Sequence, residues 1–268
     1  MTRLAEVFQG ASKQKRAAFI AYLTAGDPSV EATVEIARAL DRAGADVLEL
    51  GVPFSDPIAD GPVLQRAAER ALSAGTTLRD VLAAGEEIRR RTNLALVLFS
   101  YVNPLLRAGI ETAGRQAKEA GFDGVLMTDL PPEEAGAYQP LMRSAGLDTV
   151  FLVSPTSTAG RMKAAASLSS GFLYVVSRPG TTGARAALPA DLPATVARAR
   201  KAAARLPIAV GFGIGTPEAA RSASRLADGV IVGSALVAAA EKAQSGRARA
   251  VEDLARSLVR ACRRNSGA

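Results

Sequence analysis

The 268-residue sequence has no histidine, no tryptophan, a single cysteine (Cys262), six lysines and only 4% aromatic residues. Without histidine there is no Ser-His-Asp or Cys-His nucleophile, no His-held zinc and no imidazole acid or base. One thiol excludes an intrachain disulfide and a cysteine-held iron–sulfur cluster. Proton transfer near neutral pH is therefore left to carboxylates of raised pKa, to tyrosine or to lysine. The net charge is +7, but no aromatic interleaves a basic run, so no nucleic-acid partner is expected. The arginines recur at helical spacing, as in Arg38 and Arg42 or Arg66 and Arg70, and read as solvated helix faces. The positive excess suits a small anion. No run of 18 apolar residues exists, so no membrane span is expected. Residues Met1 to Phe19 lack the apolar core of a secretory signal and read as a short amphipathic helix. A soluble, cytoplasmic protein is the expectation.

What is present is a repeated alternation. Eight short apolar runs read as strands: Ala18 to Leu23, Asp46 to Leu50, Leu94 to Phe99, Gly124 to Met127, Thr149 to Val153, Phe172 to Val176, Pro207 to Val210 and Gly229 to Val232. Between them lie amphipathic stretches, among them Val30 to Ala43, Pro62 to Ala74, Leu78 to Arg91 and Pro132 to Ala145. A strand recurs about every thirty residues, the length of one βα unit. Strands this uniformly apolar belong to a parallel sheet buried on both faces. Eight units predict a closed (β/α)8 barrel, class α/β, with an additional N-terminal helix, all in one domain spanning 1–268. The open-sheet alternative would want a glycine fingerprint after its first strand, where the sequence has Thr24-Ala25-Gly26-Asp27-Pro28 instead. Cys262, on a final helix from Ala248 to Arg264, reads as an inert small hydrophobe.

Barrel enzymes keep their chemistry at the C-terminal ends of the strands. In Val47-Leu48-Glu49-Leu50-Gly51, period-two alternation puts Glu49 on the face of Val47 and Gly51. A carboxylate among apolar neighbours there acquires a raised pKa suited to acid–base work, or it is a structural carboxylate paired with an arginine. The following loop carries Asp56 and Asp60 on a segment with three prolines. Asp60 precedes Gly61-Pro62 and is open to two readings, helix cap or catalytic group. Gly211 to Gly215 and Gly233-Ser234 leave the seventh and eighth strands, and Ser234 opens a helix, the arrangement that cradles a phosphate. Ser177 to Gly183 read as a lid. No lysine falls at a strand end, which disfavours a Schiff-base aldolase.

The run from Leu48 to Gln65, with Tyr22 to Pro28, Tyr101-Val102-Asn103-Pro104, Asp129-Leu130-Pro131, Ser177 to Gly183, Gly211 to Ile214 and Val232 to Ala235, closely resembles the tryptophan synthase alpha chain family. The resemblance implies a lyase that splits indole-3-glycerol phosphate into indole and glyceraldehyde 3-phosphate. It implies catalytic roles for Glu49, Asp60 and Tyr174, and phosphate contacts from Gly183, Phe212, Gly213, Gly233 and Ser234. It further implies an indole pocket formed by Tyr22, Phe99, Tyr101, Leu126 and Thr128, and a partner interface at Pro53, Asp56, Asn103 and Pro131. Tyr22 stands where the family commonly has phenylalanine. The implied partner is a beta chain carrying pyridoxal phosphate in an α2β2 heterotetramer, so no cofactor and no metal are expected in this chain. Two other readings are an isomerase of phosphorylated sugars on the same barrel and an interaction subunit that activates its partner.

Overall fold

The computed structural model describes residues 1–177, 188–211, 213–243 and 245–264. Among them, eight parallel strands close in chain order: β1 (Ala18–Thr24), β2 (Val47–Gly51), β3 (Ala95–Ser100), β4 (Gly124–Met127), β5 (Asp148–Val153), β6 (Leu173–Val176), β7 (Ile208–Gly211) and β8 (Gly229–Val232). The expected (β/α)8 barrel is what forms, each strand within a residue or two of its predicted limits. Alternation along the strands sorts side chains into two cores. Leu48, Leu50, Leu96, Leu98, Val210 and Val232 face the outer helices, whereas Ile20, Tyr22, Val47, Val97, Phe99, Leu126, Val150, Tyr174, Ala209 and Ile231 fill the barrel.

The N-terminal helix, Arg3–Lys13, is capped by Thr2, whose hydroxyl accepts the Ala5 N–H, and it plugs the base of the barrel. It stops at Lys13, short of the predicted Phe19, because β1 claims Ala18 onward. Leu4 and Phe8 enter the interior, and the Phe8 ring lies 5.5 Å from that of Phe172. Gly124, Gly171 and Gly229 make room for them: a Cβ at these positions would lie 3.0 and 2.8 Å from Leu4 Cδ1 and 3.0 Å from Phe8 Cε1.

Two expectations about helices fail. The stretch from Pro132 to Ala145 is not one helix but a turn, a single 3-10 turn at Ala135–Ala137 and a short helix at Gln139–Ser144. Pro140 has no N–H to donate to a preceding turn and Gly136 weakens the helix further, so the helix restarts at Gln139 with proline in its first turn. Conversely, Val102–Ala108 forms a helix directly after β3 that the amphipathic pattern does not mark. Cys262 is buried just past the final helix, Arg247–Ala261, and burial pushes its thiol up to about 12, so it is unreactive. No helix among the described residues is long and apolar enough to cross a membrane.

Candidate active site

At the C-terminal mouth of the barrel, Tyr22, Glu49, Asp60, Phe99, Tyr174, Gly213, Gly233 and Ser234 line one cavity together with Leu64, Ile214 and Ile231. Glu49 points inward from the middle of β2, between Tyr22 of β1 and Val97 of β3 in register. Its side chain is buried, and Oε1 has no hydrogen-bond partner among the described residues. Burial without a compensating charge raises its pKa to about 8, so near pH 7 it is chiefly a neutral acid with a proton to donate.

Asp60 arrives from the loop after β2. Asp60 is not the helix cap: Gly61 occupies the N-cap of the helix Pro62–Ser73 and no side chain caps it. The Asp60 carboxylate turns instead toward Tyr101, whose hydroxyl donates to Oδ2 at 3.2 Å and accepts the Ala59 N–H at 3.0 Å. Gln65 Nε2 donates to the Asp60 carbonyl oxygen at 2.9 Å, fixing the loop from the helix side. Burial raises Asp60 to about 6, while the bond from Tyr101 pulls it down. One cavity therefore holds two buried carboxylates whose environments set Glu49 above Asp60, the arrangement that can divide acid from base work.

Tyr22 and Tyr174 face the cavity from β1 and β6. Burial, with the nearby carboxylates adding to it, holds both phenols well above their usual range, so they stay neutral. Each lies over a strand-end glycine: a Cβ on Gly51 would sit 2.3 Å from the Tyr22 hydroxyl, and one on Gly211 the same distance from the Tyr174 hydroxyl. The rings of Tyr22 and Phe99 meet edge to face at 5.1 Å. Beside Tyr22, where a Cβ on Gly233 would lie 3.3 Å from the Tyr22 Cβ, Gly233 and Ser234 line the cavity at the N-terminus of the helix Ser234–Lys242, where no side chain caps the helix.

Comparison with known proteins adds to this geometry. Residues 8–264 match the family profile described as "Tryptophan synthase alpha chain". A protein of that name from Solibacter usitatus is 49% identical over 268 residues, covering 100% of this chain and 99% of its own. One from Citrifermentans bemidjiense is 46% identical over 244 residues, 91% of each chain. The chain belongs to the tryptophan synthase alpha chain family. Its fold superposes on Mycobacterium tuberculosis tryptophan synthase with a TM-score of 0.91 at 38% identity, covering 98% of this chain and 99% of that one. The alpha chain from Legionella pneumophila gives a TM-score of 0.88 at 38% identity, over 98% and 97%. As a member of this family the chain is a lyase for indole-3-glycerol phosphate, cleaving it by a retro-aldol step to indole and glyceraldehyde 3-phosphate, and the family's alpha chain needs no cofactor.

The remaining residues implied by the family resemblance are dispersed. Leu126 is buried inside the barrel beside Phe99, and Thr128 is half-buried just beyond β4; neither lines the cavity, and Tyr101 reaches it only through Asp60. Gly183 and Phe212 lie outside the described residues, as does the expected lid beyond Ser177. Among the interface residues Asp56 and Asn103 are exposed, Asn103 within the short helix after β3, and Pro131 is half-buried. Pro53, implied as an interface residue, is buried just beyond β2. The feature missed at this rim is Ile58, 85% exposed two residues beyond Asp56.

Proposed function

We propose that Glu49 and Asp60 carry the cleavage. Glu49 delivers its proton to C3 of the indole ring, converting the ring into an electron sink. Asp60 accepts the indole N–H and stabilises the positive charge that develops there. The Glu49 carboxylate left behind takes the proton of the adjacent glycerol hydroxyl, the bond from that carbon to C3 breaks, and its electron pair restores the aromatic indole. The aldehyde formed is glyceraldehyde 3-phosphate. No external electron sink enters, and the acid is regenerated within the cycle. The observation that carries this reading is the pair of buried carboxylates, Glu49 and Asp60, lining one cavity, with burial raising Glu49 to about 8 and Asp60 to about 6.

Tyr174 packs beside the acids, and Tyr22 and Phe99 form the wall for the indole ring, with Tyr101 acting on it through Asp60. Gly213, Gly233 and Ser234, with Gly183 and Phe212, hold the phosphate. The chain works as one barrel domain in the cytoplasm and docks a beta chain in an α2β2 assembly. Asp56, Asn103, Pro131 and the exposed Ile58 supply the rim for that contact, and the indole passes to the pyridoxal phosphate of the partner. The test is release of free indole from indole-3-glycerol phosphate by the isolated chain, with and without a purified beta chain. Indole appears in both, faster with the partner. No indole in either condition would leave only the interaction-subunit reading.

A further inference from the structure

Arg70 is not the solvated helix residue its spacing from Arg66 suggests. Its Nε and Nη2 hold the two carboxylate oxygens of Asp27 at 2.8 and 2.7 Å, while its Nη1 reaches Glu241 Oε1 at 2.8 Å. Arg66 grips the same Glu241 with two bonds of 3.0 Å. The Asp27 side chain is only 9% exposed, so the pair with Arg70 is largely sheltered from solvent.

The positions of these residues give the cluster its meaning. Asp27 lies just beyond β1, the strand of Tyr22. Arg70 stands two turns along the helix Pro62–Ser73, which begins immediately after Asp60. Glu241 stands two turns along Ser234–Lys242, the helix that offers its N-terminus to the cavity. Both helices also pack inward, through Leu64, Ala67 and Val237, onto the cluster that contains Tyr22, Phe99 and Tyr174. An α-helix transmits a displacement along its axis as a stiff element, and a two-pronged guanidinium–carboxylate contact fixes orientation as well as distance. The Arg70 side chain is 35% exposed, so the cluster adds little to global stability. Its geometric effect is to lock the helix bearing the anion-facing Ser234 to the helix that sets Asp60.

We propose that Arg70 is a positioning residue that couples binding of the substrate's phosphoryl group at Ser234 to the placement of Asp60. The affinity for the remote phosphate is thereby used in the cleavage step rather than in ground-state binding alone. This rests on the lyase reading of the same cavity.

The experiment uses intact indole-3-glycerol phosphate, its phosphate-free analogue indole-3-glycerol, and inorganic phosphite as the detached anion. In the unaltered chain, phosphite accelerates indole release from the phosphate-free analogue. In Arg70→Lys and Arg70→Gln, that acceleration disappears and kcat for the intact substrate falls roughly ten- to a hundredfold, the scale of a misplacement near 1 Å. Affinity for inorganic phosphate stays the same. Glu241→Gln keeps the Asp27–Arg70 pair, so it also serves if the Arg70 variants fold poorly; it too loses phosphite activation. The proposal is overturned if phosphite does not activate the unaltered chain, if the variants keep full activation and kcat, or if kcat and phosphate affinity fall together. If the unaltered chain releases no indole from the intact substrate, the lyase reading itself fails, a result distinct from these.

Discussion

At the residue scale, the proposed cleavage depends on one cavity holding Glu49 near 8 and Asp60 near 6. The active form has Glu49 protonated and Asp60 ionised, so kcat/KM should follow a bell, falling below about pH 6 and above about pH 8. Steady-state rates across pH 5 to 9 check this. Tyr101 sharpens the assignment, because its hydroxyl favours the Asp60 carboxylate. In Tyr101→Phe the acidic limb should move to higher pH while the basic limb stays; movement of the basic limb would detach Tyr101 from Asp60. Glu49 also leaves a stability signature. Its folded-state pKa lies above its value of 4.5 in the unfolded chain, so the stabilising difference is whole below pH 4.5 and is lost as pH rises through about 8. Relative to Glu49→Gln, the unaltered chain should lose up to ~1.4 kcal/mol per pH unit across that window and level off above it. Denaturant unfolding of both proteins at several pH values provides the comparison.

At the scale of elements, the strands were legible because a barrel strand must be apolar on both faces, and Glu49 was conspicuous because it breaks that rule on the inward face. Amphipathic spacing likewise marked the helices Val30–Ala43 and Leu78–Arg91, to which the structure adds a Ser29 cap and a Thr77–Asp80 capping box. The segment after Pro132 was misread because its apolar spacing is helical while Gly136 and Pro140 oppose a continuous helix. Contacts between distant elements left no sequence signal. The Tyr101–Asp60 bond spans 41 positions and the Arg70–Glu241 pair 171, and neither partner's own spacing announces the other. Amphipathicity and the barrel reading foretold an N-terminal helix at the barrel's base but not its inward contacts, where Phe8 meets Phe172. Phe8→Ala should therefore empty part of the barrel floor and cost ~3–5 kcal/mol of stability, read as a lowered urea midpoint with an unchanged m-value. A loss below ~1 kcal/mol would mean that the plug is not packed as described.

At the scale of the whole molecule, the absence of histidine becomes a positive statement. The barrel closes around a cavity whose titratable groups, among the described residues, are two carboxylates and two tyrosines held neutral, with none of the six lysines lining it. The helix Ser234–Lys242 and the loop that carries Asp60 lie far apart in the chain, and closure of β8 onto β1 makes them neighbours. The central claim is that Glu49 is the acid that starts cleavage, and a single-turnover assay of Glu49→Gln tests it most directly, with inorganic phosphate binding followed in parallel. The predicted result is no detectable indole from indole-3-glycerol phosphate with phosphate binding retained. Indole release at the rate of the unaltered chain would contradict it.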